Sequence, residues 1–302
     1  MIAAIPFFQL SVYNLDLFGF SLPFDPWATL VCIGFVVGLE VARARGIKLG
    51  LDTRDVVDGA VFIVLMGFFV AHLFTVLFYY PERLARDGII TLFRVWEGFA
   101  STGGFVGAVI GAWLFYPFVR NAIRPLGTPE LPKGSGLLHA DVIMFGFPVG
   151  WFFGRMGCFS VHDHIGSQTT FFLAMDFDHG IGPWAAGAPY ADGIRHELGF
   201  YEMLYMIPVA ALFFYFGREK RPTGFFLGLF GLLYAPLRFV LDFLRNTDLA
   251  YQDARYFGLT PAQYGMIVMF LAAAGFMWWI HQASTNPEDP IPSSPPNPEP
   301  TP

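Results

Sequence analysis

Seven long apolar runs, separated by polar or proline-bearing connections, constrain this chain more than anything else in it. They fall at about 27–44, 57–79, 100–120, 139–158, 198–217, 223–244 and 261–281. Roughly 20 apolar residues in a helix cross the hydrocarbon core of a bilayer. Helices are also the open-chain structures that satisfy their own backbone groups in lipid. Charged residues make up 14% of the chain and hydrophobic ones 55%, where a soluble domain carries about 25% charged residues. The expected fold class is therefore all-α, a polytopic membrane protein of seven transmembrane helices.

The remainder divides simply. Residues 1–26 are apolar but broken by Pro6, Pro23 and Pro26, with Asp16 and Asp25 among them; they predict a segment lying on the membrane surface rather than a span. Residues 159–197 hold Gly180, Gly182, Pro183, Gly187 and Pro189 and no apolar run, which predicts a small extramembrane cap between spans four and five. The membrane domain covers 1–283, and the acidic, proline-rich stretch 284–302 is expected to be a disordered tail. The N-terminus carries neither a basic n-region nor a small-residue cleavage site, so no cleaved signal peptide is expected.

Orientation follows from the loop charges. Arg43, Arg45, Lys48, Arg54, Arg120, Arg124, Lys133, Arg218, Lys220 and Arg221 flank one membrane face; Arg83, Arg86, Arg94, Arg155, Arg195, Arg245 and Arg255 flank the other. The richer face is cytoplasmic by the positive-inside rule, which places the N-terminus and the cap outside and the tail in the cytoplasm. A net charge of −6 speaks against a nucleic-acid partner. Cys32 and Cys158 form no CxxC pair, so neither a disulfide framework nor a zinc knuckle is expected.

The chemistry concentrates in residues 141–166, DVIMFGFPVGWFFGRMGCFSVHDHIG. Arg155 leaves a span there, and an arginine at that depth demands an anionic or watery partner. Arg238, Asp242 and Arg245 in LRFVLDFLRNTD share one helix face. They read either as a membrane-end ion pair or, with Arg155, as cationic forks suited to a phosphate. The glycines of STGGFVGAVIG, Gly103, Gly104 and Gly107 among them, read either as close helix packing or as backbone amides facing an anion. Glu202, inside the fifth span, is expected to be neutral or paired with an arginine. His196 reads as a hydrogen-bonded structural group, and Cys158 as a small apolar packing residue. His162 and His164 flank Asp163, but no third ligand has a register for a metal, so no metal and no cofactor are expected.

GRMGCFSVHDHIG resembles the signature G-R-x-G-N-F-x-N-x-E-x-x-G of the bacterial prolipoprotein diacylglyceryl transferases. WEGFASTGGFVG, RHELGFYE and LRFVLDFLRNTD are similar, in order, to that family's W-x-G-G-x-x-x-H-G-G-x-x-G, R-H-P-x-Q-x-Y-E and R-F-x-x-E-x-x-R, so the likeness runs over about 20–280. It implies a multi-pass enzyme of the bacterial inner membrane that transfers a diacylglyceryl group from phosphatidylglycerol to the lipobox cysteine of a prolipoprotein. Its partners would be that lipid, the prolipoprotein signal peptide and the surrounding membrane lipid. The resemblance makes Arg155 and Arg238 phosphate-holding catalytic residues. It sets Asp163 at the signature glutamate, beside His162, and lines a lipid cavity with Gly103, Gly104 and Gly107. Asp141, Asp242 and Arg245 match further family positions, and Thr102 and Cys158 stand where the family has histidine and asparagine. Two readings follow: a transferase whose proton acceptor is His162, His164 or Asp163, and a non-catalytic relative that binds phospholipid or a lipobox peptide.

Overall fold

The computed structural model describes residues 4–285 apart from 9, 11, 18–19, 96–97, 126–127, 133, 178–190 and 250–251. Its elements are, in order, strands β1 (Ile5–Pro6), β2 (Tyr13–Leu17) and β3 (Phe20–Phe24), then helices α1 (Pro26–Lys48), α2 (Thr53–Phe74) and α3 (Pro81–Asp87). Next come α4 (Ser101–Leu114), α5 (Arg120–Ile123) and α6 (Ser135–Val161), followed by strands β4 (Ile165–Gln168), β5 (Met175–Asp176) and β6 (Ile194–Glu197). Helices α7 (Leu198–Phe216), α8 (Phe225–Leu241) and α9 (Pro261–Thr285) come last among the described residues. Single π-helical turns, Thr75–Tyr79 and Phe115–Val119, extend α2 and join α4 to α5. Among the described residues, seven helices are long and apolar enough to cross a membrane, one for each apolar run. The protein is a polytopic membrane protein.

The helices outrun the apolar stretches for local reasons. Asp52 caps α2 by accepting the Arg54 N–H at 2.8 Å, which starts that helix at Thr53. Helix α1 carries Arg45 and Lys48 into its last turn, where cations favour the free carbonyls and long stems reach the interface. Pro148, Pro208 and Pro236 lie inside α6, α7 and α8, as membrane helices tolerate when neighbouring groups take up the freed backbone.

The chain divides into two compact units. The first comprises Met1–Gly38, Phe147–Leu212 and Val240–Asp253. Its small sheet has the order β1-β5-β6-β4, with Ile5 parallel to Met175, and Met175 and Ile165 antiparallel to Arg195 and Glu197. The expected cap thus takes one strand from the N-terminal segment. The rest of that segment is a hairpin, β2 paired with β3 from Tyr13↔Phe24 to Leu17↔Phe20. Its two-residue alternation is the period of a strand. Met175, Phe177 and Ala191 form the core beneath the sheet, with Phe7, Phe8 and Phe159 against them. Arg195, on the inner strand β6, ties the sheet to Asp248 by a bidentate bond at 3.0 and 2.7 Å. In the same unit α1 meets α6 closely, for a Cβ on Gly34 would stand 2.5 Å from the Gly150 carbonyl.

The second unit comprises Leu39–Gly146, Phe213–Phe239 and Ala254–Pro302. Its helices α2 and α4 pack backbone to backbone through glycine. A Cβ at Gly103 would lie 2.4 Å from Phe74 Cβ, and one at Gly107 would lie 2.6 Å from the Met66 carbonyl. Buried Asp55 bridges Arg120 and Arg124, with 2.9 Å between its Oδ1 and Arg120 Nε. The expected tail beyond Thr285 lies outside the described residues.

Candidate active site

The site is built where α6 ends. Val161 is the last helical residue, His162 turns to φ +51°, and the Asp163 N–H returns to the Cys158 carbonyl at 3.4 Å. This is a Schellman stop, with a left-handed residue just past the helix and a bond closing back over the last turn. A left-handed L-residue is uncommon, although histidine is among the types enriched there. The turn folds Asp163 and His164 back beside Arg155 and Cys158.

Arg155 is 3% exposed, and its neighbours account for its charge. Its Nε lies 2.9 Å from Oε2 of Glu202, which is wholly buried on α7. Its Nη1 is 3.1 Å from His164 Nε2 and 3.7 Å from Cys158 Sγ. One turn earlier, Trp151 lies under the guanidinium, 4.7 Å from ring centre to Cζ, a cation–π contact. The expectation for Glu202, neutral or paired, resolves to pairing. Gly199 lets the start of α7 approach, since a Cβ there would meet Cys158 at 3.3 Å.

His164 Nδ1 donates to the Asp163 carboxylate, and Asp163 also feels the charges of Arg155 and Arg245. Burial by itself would raise the Asp163 carboxyl, but His164 and the two arginines outweigh it and hold the group below the usual carboxylate range. Burial pushes His164 down against the pull of Asp163. A guanidinium only donates, so Nε2 of His164 faces Arg155 with its lone pair. The ligand-type atoms of Cys158, Asp163 and His164 come within 4.8 Å of one another, a third partner that the sequence spacing did not offer. Arg155 Nη1 stands against two of the three, and a divalent cation there would oppose it. The cluster is a hydrogen-bonded cradle around a guanidinium.

Other residues singled out by sequence lie elsewhere in the first unit. His162 is buried, with Nδ1 3.3 Å from Glu197 and Nε2 2.6 Å from the Phe8 carbonyl. Burial lowers it, yet Glu197 and that carbonyl outweigh burial and raise it. His196 bonds Tyr201 Oη at 3.0 Å on the wall of an apolar cavity of about 460 Å³ lined by Phe171, Leu173, Leu204, Leu241 and Leu244. Arg245 reaches Asp253 at 2.8 Å and buried Asp242 at 3.6 Å.

In the second unit, Arg238 is buried on α8. The space beside Gly103 and Gly107 is filled by α2, whereas a Cβ on Gly104 would meet only Ala71 at 4.0 Å. Thr102 is buried against Gly265 of α9, its hydroxyl without a hydrogen-bond partner among the described residues. Asp141 accepts the Leu227 N–H at 3.0 Å in the first turn of α8, an N-terminal helix cap supplied by another helix. Trp151 and Glu197 escaped the sequence reading. Trp151 carried a signal, because it precedes Arg155 by one helical turn.

A family model described as prolipoprotein diacylglyceryl transferase matches residues 16–279. The chain is 32% identical to the phosphatidylglycerol–prolipoprotein diacylglyceryl transferase of Nitratidesulfovibrio vulgaris strain Miyazaki F, over 75% of this chain and 78% of the relative. It is 30% identical to the protein of that name from Chromohalobacter salexigens, over 84% and 86%. The counterpart from Pasteurella multocida is 29% identical, over 88% and 96%.

Proposed function

The chain belongs to the prolipoprotein diacylglyceryl transferase family and is a membrane transferase, and we propose that it moves a diacylglyceryl group from phosphatidylglycerol to the lipobox cysteine thiol of a prolipoprotein. The observation that carries this reading is Arg155, a buried guanidinium at the end of a membrane helix, braced by Glu202 and Trp151 and flanked by Asp163 and His164.

In the proposed reaction the cysteine sulfur attacks the terminal glyceryl carbon of the lipid. The carbon–oxygen bond to phosphate breaks, its electron pair leaves with glycerol phosphate, and a thioether forms. Negative charge grows on the phosphate oxygen as that bond breaks. A fixed guanidinium in a low-dielectric site stabilises such charge without reorganising, which is where electrostatic catalysis is strongest. Glu202 stands against Nε, and Nη1, which here meets His164 and Cys158, is the N–H that would turn to the phosphate. The family motif on α8 adds Arg238 as a second cation for the same reaction. The positive-inside count supports an inner-membrane protein whose N-terminus and cap face outward, where an exported signal peptide arrives.

The test is to express the chain in bacterial membranes depleted of their own transferase, with a lipobox precursor and labelled phosphatidylglycerol. Label joined to the precursor through a thioether is expected, and both Arg155→Ala and Arg238→Ala should abolish it. A precursor that stays unlabelled while lipid co-purifies with the protein would overturn the reading.

A further inference from the structure

Alkylating a thiol requires that its proton go somewhere, and the residues around Arg155 single out one acceptor. Of the three candidates at the end of α6, His162 has both nitrogens engaged, by Glu197 and by the Phe8 carbonyl. Asp163 gives one carboxylate oxygen, Oδ1, to His164 Nδ1 and as a carboxylate is a weaker base than an imidazole. His164 offers an imidazole lone pair, on Nε2, and that lone pair faces the guanidinium at 3.1 Å. Asp163 fixes the tautomer, with the proton on Nδ1, as the carboxylate of a catalytic triad does. The side chains of His164 and Asp163 are 15% and 26% exposed, so the pair is reachable from solvent while Arg155 is not.

We propose that His164, oriented by Asp163, is the general base that takes the thiol proton, and that Arg155 Nη1 masks it until a phosphate oxygen takes over that N–H while Glu202 keeps Nε in place. This rests on the transferase reading. A phosphate is a stronger acceptor for a guanidinium than a neutral imidazole, because the bond is charge-assisted on both sides. Lipid binding therefore exchanges the Arg155–His164 bond for an Arg155–phosphate bond and uncovers Nε2. The thiol proton passes to Nε2, sulfur forms the carbon–sulfur bond, and the carbon–oxygen pair leaves on the phosphate. The imidazolium, neutralised by Asp163, then returns the proton to the departing phosphate or to water. The charged and titratable groups around His164 are Arg155 and Cys158 from α6, Asp163 beside it, Glu202 through Arg155 from α7, and Arg245 beyond α8. The basic form is present above the histidine's pKa, so the rate should fall on the acid side only.

The experiment uses the full chain in membranes or detergent, labelled phosphatidylglycerol, and two lipobox peptides, one with cysteine and one with selenocysteine at the acceptor position. A selenol is ionised at neutral pH and needs no base. For the cysteine peptide, His164→Asn should lower kcat by about 10²–10⁴-fold with little change in the lipid KM, and Asp163→Asn should lower it less. For the selenocysteine peptide, the His164→Asn loss should shrink to less than about tenfold. The unsubstituted protein supplies a check that no misfolding disturbs: its kcat should show an acid limb set by the enzyme with the thiol peptide, and with the selenol peptide one that instead follows the titration of the free selenol peptide. An inactive unsubstituted protein would sink the transferase reading itself. An active one whose His164→Asn variant keeps its rate, or loses both substrates equally, or whose acid limb is the same with both peptides, would overturn the base assignment alone.

Discussion

Removing Glu202 tests whether Arg155 is held as described. The pair is 2.9 Å apart, with Glu202 wholly buried and Arg155 3% exposed. Truncating one member of such a pair costs about 3–5 kcal/mol, mostly because the other charge is left buried. Arg155 would keep its contacts with His164, Cys158 and Trp151 and the nearby charge of Asp163, but Asp163 is already engaged by His164 and does not replace the carboxylate against Nε. At about 2 °C per kcal/mol for a chain of this size, Glu202→Ala should lower the melting temperature by about 6–10 °C. The measurement is thermal unfolding in detergent at neutral pH, followed by tryptophan fluorescence. Arg155→Met combined with Glu202→Leu removes both charges and should recover more than half of the loss, a coupling that a double-mutant cycle isolates. If Glu202→Ala melted like the unsubstituted protein, or if the two single effects simply added, the buried-pair account would be wrong.

Three further outcomes are expected. Gly107→Ala places a Cβ 2.6 Å from the Met66 carbonyl and should destabilise by about 1–3 kcal/mol, whereas Gly104→Ala, with Ala71 at 4.0 Å, should be close to neutral; melting of the two variants decides. The raised His162 makes stability pH-dependent: the imidazolium is favoured by folding, so its contribution is complete below about pH 6.5 and disappears as pH rises through the folded value. Melting curves should show that loss as pH rises above about 6.5, and His162→Asn should flatten it. Asp141→Ala removes the cap on α8 and should cost about 1 kcal/mol, read as a melting shift of about 2 °C.

The seven spans were legible because length and apolar composition suffice to define a membrane helix. Their ends were not, since the Asp52 cap and the Arg45 and Lys48 extension of α1 depend on backbone groups whose exposure only the fold decides. The N-terminal strands escaped for a different reason. Ile5 pairs with Met175, and no local pattern announces a partner so far along the chain. The alternation in Tyr13–Phe24 was visible but interrupted by Pro23.

Within the site, Arg155, Cys158 and Asp163 stand in one short stretch, and the chemistry of an arginine leaving a span pointed to them. Which histidine faces the arginine was not readable. His162 and His164 are equivalent on composition, and the left-handed turn at His162 separates them, sending one to Glu197 and the other to Arg155. Glu202 shows the same limit. Sequence reasoning required a partner for a carboxylate in a span, but only the approach of α7, permitted by Gly199, makes that partner Arg155.

The central claim concerns a bond and is best tested on the purified chain with a lipobox peptide, phosphatidylglycerol and no other protein. Mass spectrometry of the peptide and an assay for free glycerol phosphate should find a diacylglyceryl thioether on the cysteine, with glycerol phosphate released in equal amount. Lipid that remains bound and intact beside an unmodified peptide would contradict it.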